Sequence, residues 1–235
     1  MKKILLTTAI IAGLAASTSA SANTSGGAYM GIQGGYSWSN FEPSSQIDDA
    51  KLLGLRKTKN KKTDQNGVGA DIHFGYLFPI TDSFSIGPEV GIGKNFYKPK
   101  YKTYVSYNHD DTFGIKSEVD TKLYVPILLR AQLQLNDELY VFGKVGAAYM
   151  DQKVTTSVYR QIPEINFHSE AEVSHESNKR WVGNYGVGMG YNINQNLGLE
   201  ISYNYLDGDN GKERKGKAFR TLKTQNVSLG VNYTF

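Results

Sequence analysis

The chain of 235 residues contains no cysteine. This absence excludes disulfide scaffolds, thiol chemistry and cysteine-based zinc sites. Long hydrophobic runs are also scarce, since no stretch after residue 16 is long enough for a transmembrane helix. A formal net charge of +4 is too small to indicate a nucleic-acid partner. Tyrosine (16) and glycine (25) are abundant while the mean hydropathy is negative, which is typical of a β-protein with apolar side chains at alternate positions.

The N-terminus has the features of a secretory signal peptide. Two lysines at positions 2 and 3 precede an apolar run over residues 4–16, and Ala20-Ser21-Ala22 provides small residues for cleavage. The apolar run is too short to span a bilayer as a helix. We therefore predict a signal peptide over residues 1–22 and an exported domain over residues 23–235, with an uncleaved anchor helix as the alternative.

The C-terminal sequence VSLGVNYTF (227–235) places apolar side chains at every odd position and small or polar ones between them. A period of two predicts a β-strand with one apolar face. The same pattern recurs in segments of about ten residues, the length of a tilted strand that crosses a bilayer. The eight segments cover residues 30–38, 68–78, 84–96, 123–135, 139–149, 181–193, 197–205 and 227–235.

The connections between these segments alternate in length. Three are tight and rich in turn residues, at 79–83, 136–138 and 194–196. Four are long, at 41–67, 98–122, 151–179 and 206–220. Strict alternation collects the long connections at one end, as in an outer-membrane barrel. The sequence thus predicts an all-β fold: an eight-stranded antiparallel up-and-down transmembrane β-barrel with short periplasmic turns and long extracellular loops.

The composition of the polar face indicates which face points inward. A soluble lipocalin-like carrier would also alternate, with its apolar face turned into the barrel. Here the polar face is rich in glycine, which forms strands poorly and has no advantage on a water-exposed surface. A narrow eight-stranded lumen has little room for side chains, so glycine is favoured there. We therefore expect the polar face to line the lumen and the apolar face to contact lipid, with aromatic belts at both ends.

A few charged side chains share the polar face with the glycines. Charges inside a filled lumen must be paired. We therefore predict a structural ion network, with an ion-conducting pathway as the alternative; no catalytic triad or carboxylate-dyad spacing supports an enzyme. Pro88 and Pro126 interrupt two strands, and we expect local bulges or missing ladder donors there. The predicted network comprises Asp71, Glu89, Arg130, Lys144 and Glu200.

Several motifs resemble the eight-stranded outer-membrane β-barrel family that includes the OmpA transmembrane domain and the opacity-type surface antigens. They are YMGIQGGYSW (29–38), SIGPEVGIG (85–93), LYVPILLRAQL (123–133), YVFGKVGAAY (140–149) and the terminal GVNYTF. The resemblance implies a location in the outer membrane of a Gram-negative cell. From the absence of catalytic spacing and the filled lumen we expect no enzymatic activity, and we expect no cofactor. It also implies that Tyr233 and Phe235 form the signal read by the outer-membrane assembly machinery. Members of this family are commonly adhesins, complement-evasion factors or envelope-stabilising proteins.

Specific binding is expected in the long loops, where barrel proteins concentrate their binding residues. Basic clusters attract polyanions, so lipopolysaccharide or host surface and matrix molecules are the expected partners, and a solvated loop is the alternative. The third long loop is partly alternating and predicts a hairpin above the membrane. Its His168 and His175 match no common metal-ligand spacing. The candidate polyanion-binding residues are Arg56, Lys57, Lys59, Lys61, Lys62, Lys212, Arg214, Lys215, Lys217 and Arg220.

Overall fold

The computed structural model describes residues 26–40, 56–63, 65–106, 112–162, 167–208 and 223–235. The signal peptide predicted for residues 1–22 lies outside these ranges. Within the described part of the chain, no helix has the length and apolar character needed to cross a membrane.

In the part of the chain that the structure describes, ten strands make up one sheet. They are β1 (Gly27–Asn40), β2 (Arg56–Thr63), β3 (Asn66–Pro79), β4 (Phe84–Asn95), β5 (Lys100–Ser106), β6 (Thr112–Gln134), β7 (Leu139–Ile162), β8 (Phe167–Asn192), β9 (Leu197–Asp207) and β10 (Lys223–Thr234).

Eight of these strands close into a barrel. Their order is β6-β4-β3-β1-β10-β9-β8-β7, and pairing of β6 with β7 completes the ring. Every pairing is antiparallel, including that of the first strand with the last, where Ile32 lies opposite Val231. The predicted eight-stranded antiparallel barrel is therefore confirmed. Closure also removes the free edges that an open sheet would present within the membrane.

The three tight turns join β3 to β4, β6 to β7, and β8 to β9. In the second turn, Asn136 Oδ1 accepts hydrogen bonds from the backbone N–H groups of Glu138 (3.0 Å) and Leu139 (2.7 Å). Asn194 makes the same pair of bonds in the third turn, to residues 196 and 197. Asparagine favours such turns because its side chain bonds the backbone two or three residues ahead. The sequence therefore determines these connections locally.

Two strands, β2 and β5, lie within segments predicted to be loops. Strand β2 pairs with β5, β5 with the start of β6, and β6 and β7 continue pairing as far as Thr112 and Gln161. Together with the first half of β8, these segments form what we call the extracellular sheet, which continues the barrel wall beyond the membrane. The predicted hairpin of the third loop is confirmed, because β7 and β8 pair up to Ile162 and Phe167. The loop prediction for residues 56–63 was wrong. These lysine-rich residues lack the apolar alternation that indicates a strand, and they form one because their backbone pairs with β5.

The barrel accommodates its prolines without a change of register. The β3–β4 ladder pairs Gly75 with Glu89 and resumes with Phe78 and Ile86, so the pair that would include Pro88 is missing. The β4–β6 ladder has a matching gap at Pro126, between Val90 and Gly93 on β4. Missing ladder donors, rather than bulges, are therefore the accommodation.

A β-bulge interrupts β6 between Thr121 and Leu123, just above the membrane. It reverses the alternation along the strand. Odd positions such as Val119 and Thr121 are buried above it, whereas even positions such as Leu128 and Arg130 are buried below it. Such an extra residue re-aims the strand where it leaves the barrel.

The two faces of the barrel strands differ as predicted. On β10, Val227, Leu229 and Val231 are exposed on the outside, whereas Ser228 and Asn232 are buried.

Aromatic rings gather at both ends of the apolar band. The extracellular end has the ring pairs Tyr36–Trp38, Trp38–Tyr203 and Tyr149–Trp181, and the periplasmic end has Tyr76–Phe78 and Tyr233–Phe235. This arrangement matches the girdles of transmembrane barrels.

Candidate functional site

Four of the five predicted lumenal charges meet inside the barrel. Lys144 Nζ donates a hydrogen bond to Glu89 Oε1 at 2.9 Å. Arg130 Nη2 donates to Glu200 Oε1, and Arg130 Nη1 lies 3.7 Å from Glu89 Oε2. No side chain of the four is more than 4% exposed. Two cations and two carboxylates give this buried cluster no net charge, as burial requires.

Strand register explains why the cluster needs both carboxylates. Arg130 on β6 lies directly opposite Lys144 on β7, and two like charges in such a pair repel. Glu89 on β4, the other neighbour of β6, and Glu200 on β9 approach these cations inside the lumen. The carboxylates therefore neutralise a repulsive cross-strand pair, and they tie together four different strands of the barrel.

Three aromatic residues complete the cluster. The Tyr29 hydroxyl donates to Glu89 Oε2 at 2.7 Å, and the Tyr140 hydroxyl donates to Glu200 Oε1 at 2.9 Å. The Arg130 guanidinium lies 4.2 Å from the centre of the Phe142 ring, a cation–π contact in a water-poor setting. Tyr29, Tyr140 and Phe142 were not among the predicted site residues. Their signal was the alternation itself, since each occupies the polar phase of its strand.

Glycine makes room for the lumenal rings. Each ring lies over a glycine directly opposite on the next strand, and a Cβ atom at that glycine would overlap the ring. The close approach, rather than backbone flexibility, therefore requires glycine here. The pairs are Tyr29–Gly75, Tyr124–Gly93, Tyr140–Gly190 and Phe142–Gly188.

The fifth predicted charge, Asp71, belongs to a separate polar layer. It accepts hydrogen bonds from Gln33 Nε2 (2.8 Å) and the Tyr124 hydroxyl (3.1 Å). Its Oδ1 lies 3.3 Å from His73 Nδ1, and His73 Nε2 lies 2.8 Å from Asn232 Oδ1. Among the described residues, no hydrogen bond or ion pair joins Asp71 to Arg130 or Lys144. The expectation that Asp71 balances those cations is therefore corrected.

Side chains fill the described lumen at three levels. Above the Asp71 layer, Ala148, Met150, Val182 and Leu206 form a buried apolar cluster that packs against Tyr124. A cavity of about 40 Å³, lined by the Asp71 layer and also by Glu89, Lys144 and Leu206, has room for only a few water molecules. The described lumen thus combines a neutral ion cluster, a polar layer and an apolar cluster.

The first group of candidate polyanion-binding residues lies on β2, at one edge of the extracellular sheet. The register places Lys61 opposite Lys102 on β5, and Lys102 opposite Lys116 on β6. Lys116 Nζ donates to Glu170 Oε1 of β8 at 2.9 Å. Arg56, Lys57, Lys59, Lys61 and Lys62 all belong to β2. The second group, Lys212, Arg214, Lys215, Lys217 and Arg220, lies outside the described residues.

Charge changes sign across the extracellular sheet. Strands β2 and β5 carry lysine and arginine, whereas β8, on the other side of β6 and β7, carries Glu170, Glu172 and Glu176. The two histidines of β8, His168 and His175, are seven residues apart, which is roughly 23 Å along one strand. This separation is too large for both to bind one metal ion.

The predicted assembly signal lies at the periplasmic end of the barrel. The rings of Tyr233 and Phe235 are 5.2 Å apart, and both side chains face outward, 45% and 68% exposed. The Phe235 backbone N–H donates to the Ala28 carbonyl at 3.0 Å, which holds the C-terminus against β1.

A filled barrel with an apolar outer face, two aromatic girdles and a sheet that extends beyond one end has the architecture of a transmembrane β-barrel. The family model for the outer membrane protein beta-barrel domain matches residues 7–235, and the chain belongs to this family. Its location is accordingly the outer membrane. The outward apolar face and the family membership together exclude the alternative of a soluble lipocalin-like carrier, whose apolar face would line the barrel interior.

Individual relatives are more distant. A protein of Coxiella burnetii (strain RSA 493 / Nine Mile phase I), described as uncharacterized, is 26% identical over 227 residues, which cover 91% of this chain and 87% of that protein. The OprG structure from Pseudomonas aeruginosa is 14% identical, covers 92% of this chain and 99% of its own, and has a TM-score of 0.45. The structure of Ail, the attachment invasion locus protein of Yersinia pestis, in complex with the heparin analogue sucrose octasulfate is 17% identical, covers 89% and 99%, and has a TM-score of 0.43.

Proposed function

We propose that this outer-membrane barrel is a non-enzymatic surface protein whose extracellular sheet binds polyanionic molecules outside the cell. The observation that supports the proposal is the position of β2. Its five basic residues lie on a strand that pairs with β5 and continues the barrel wall, so the barrel sets the position of this strand relative to the membrane. Binding residues held on such a scaffold lose less conformational entropy than residues in a loop.

The height of β2 favours a partner beyond the lipid headgroups. Asn66, the first residue of β3, lies opposite Trp38 of the extracellular aromatic belt. From Thr63 to Arg56 the strand then continues for roughly 23 Å. A strand of this length that contains five basic residues suits an extended sulfated polysaccharide of a host surface or matrix. Lipopolysaccharide phosphates are the competing partner, closest to the lower end of the strand.

The lumen supports an envelope-structural contribution in the same molecule. A neutral ion cluster that joins β4, β6, β7 and β9 braces the barrel from within, so that the extracellular sheet has a rigid base. In this proposal the lumenal charges hold the scaffold and the surface charges bind the partner.

The test compares two variants that lose equal charge. In the first, Lys57, Lys59, Lys61 and Lys62 become glutamine. In the control, glutamine replaces four lysines at the base of the extracellular sheet and above the belt: Lys98, Lys122, Lys153 and Lys179. If each exposed contact contributes roughly 0.5 kcal/mol, the first variant should bind heparin about 30-fold more weakly. The control should bind almost normally, and the difference should shrink in high salt.

Three outcomes would contradict the proposal. Equal weakening in both variants would mean that net charge alone attracts heparin. Unchanged heparin binding combined with aggregation of the β2 variant would mean that the lysines only protect an edge strand from pairing with other sheets. Binding to lipopolysaccharide vesicles that depends on the β2 lysines, with no binding to heparin, would assign β2 to a partner within its own membrane.

A further inference from the structure

The outer wall of the barrel has an apolar hollow, and we propose that it binds one fatty acyl chain of an outer-membrane lipid. The hollow has a volume of about 490 Å³ and crosses strands β6 to β9. Ala131 and Gly143, which lie directly opposite each other, form its floor. Larger side chains surround this floor, among them Leu129, Tyr185 and Val187.

Gly143 distinguishes this hollow from the glycine-rich lumen. A Cβ atom at Gly143 would meet no atom within 4 Å, whereas one at the lumenal Gly188 or Gly190 would overlap an aromatic ring. No contact within the described chain therefore requires glycine at position 143. Glycine weakens a strand, and it often marks a place where another molecule approaches the backbone closely.

Strand register shows that the hollow is a feature of the lipid-facing side. One row across the sheet runs Ala131, Gly143, Val187 and Tyr203. The adjacent row, closer to the extracellular belt, runs Leu129, Val145, Tyr185 and Tyr205. In the first row, Ala131 and Gly143 are small, whereas the other residues of both rows are larger. The surface is therefore recessed over β6 and β7, which carry these two small residues.

The position of the hollow identifies its occupant. It is continuous with the apolar face that contacts the membrane, and on β9 it reaches the extracellular aromatic belt at Tyr203. At that depth the bilayer supplies hydrocarbon chains, which have the flexibility to follow a recessed apolar surface. A recess left unfilled would forfeit dispersion contacts on both sides, so a chain that enters it gains packing that a flat wall does not offer.

The orientation of the lipid follows from the polar groups beyond the hollow. The Tyr205 hydroxyl donates to Asp207 Oδ1 at 3.2 Å, and Lys223 Nζ lies 3.5 Å from the same oxygen. Both polar groups lie at the extracellular ends of β9 and β10. The headgroup of the bound lipid therefore faces outward, and the chain belongs to the outer leaflet.

The test uses a phosphatidylethanolamine with a photoreactive diazirine in its acyl chain. The barrel is reconstituted in vesicles containing this lipid, irradiated, digested and analysed by mass spectrometry. Adducts at Leu129, Val145, Tyr185 and Val187 should be roughly fivefold more frequent than at outward residues of β1 and β10, as expected for a modest packing preference. Gly143→Leu, which fills the recess, should abolish this enrichment.

A matched control is available on β1. Gly34 also faces outward and lies opposite an alanine, Ala70, but it does not line the hollow. Gly34→Leu should leave the enrichment unchanged. Heat-modifiable migration on gels verifies that each variant folds, and Ala131→Leu fills the recess from β6 if Gly143→Leu does not fold.

Three results would overturn the proposal. Adducts spread evenly over the lipid-facing wall would mean that the hollow has no preference for a chain. Enrichment that persists after the recess is filled would place the lipid elsewhere. Loss of the adducts at these residues as the ratio of protein to lipid is raised would show that a second copy of the chain occupies the hollow.

Discussion

Arg130 provides the most informative perturbation of the lumen. It is 2% exposed, donates to Glu200 and lies near Glu89. Replacement by methionine keeps much of its length and its contact with the Phe142 ring, but it removes the positive charge. The cluster then has two negative carboxylates and one positive lysine. Of the contacts described above, Glu200 keeps only the hydrogen bond from the Tyr140 hydroxyl.

The magnitude follows from the loss of one partner of a buried ion pair. Such a loss leaves a charge uncompensated in a water-poor site and costs about 3–5 kcal/mol. The double variant Arg130→Met with Glu200→Gln removes the orphaned charge, and the glutamine oxygen still accepts the hydrogen bond from Tyr140. We expect the double variant to be destabilised by less than about 2 kcal/mol, which is far less than the sum of the single variants.

The assay is urea unfolding of the barrel in lipid vesicles, followed by tryptophan fluorescence and by the shift in gel migration of the folded form. Lys98→Met is the control, since Lys98 lies 3.2 Å from Asp120 with half of its side chain exposed. An exposed pair of this kind should contribute less than about 1 kcal/mol. The reasoning is refuted if Arg130→Met costs no more than Lys98→Met, or if the double variant costs as much as both single variants combined.

Three further predictions follow from the same structure. Gly190→Ala should destabilise the barrel by about 1–3 kcal/mol, because the new methyl group overlaps the Tyr140 ring, and an unchanged urea midpoint would disprove that contact. Phe235→Ala should reduce the amount of folded barrel recovered from outer membranes, whereas refolding into vesicles should stay normal because Phe235 is 68% exposed and contributes little packing. Equal loss in both assays would argue against an assembly signal. Purified barrels in planar bilayers should be silent because Arg130 and its partners fill the lumen, and regular single-channel steps would favour the pore alternative.

Most of the barrel could be predicted from the chain because lipid and a narrow lumen impose opposite demands on alternate residues. The phase of Val227, Leu229 and Val231 determines which side faces the membrane, and turn residues such as Asn136 and Asn194 fix the short connections. These signals are local. They need no knowledge of which strands meet, so they can be recognised without a structure.

The extracellular sheet was harder to predict because its strands lack that signal. Residues 56–63 are mostly lysine and polar, and pairing with β5 supplies the order that alternation does not. The bulge between Thr121 and Leu123 reverses the pattern on β6, so the apolar phase does not extend into the sheet.

The pairing of charged residues within the lumen could not be predicted from local sequence patterns. Glu89, Arg130, Lys144 and Glu200 were recognisable as inward charges. Which carboxylate meets which cation depends on the stagger of strands around the barrel, and that stagger separates Asp71 from the other four.

The central claim is that hydrocarbon contacts the outward side chains of the barrel strands. The absence of native cysteine allows single cysteines to be placed along β10 from Val227 to Asn232 and labelled with a nitroxide. Electron paramagnetic resonance in lipid vesicles then measures accessibility to oxygen, which concentrates in the bilayer, and to a water-soluble nickel complex. We predict high oxygen and low nickel accessibility at 227, 229 and 231, and low oxygen accessibility at 228, 230 and 232. The opposite phase, or high nickel accessibility at the odd positions, would contradict the account.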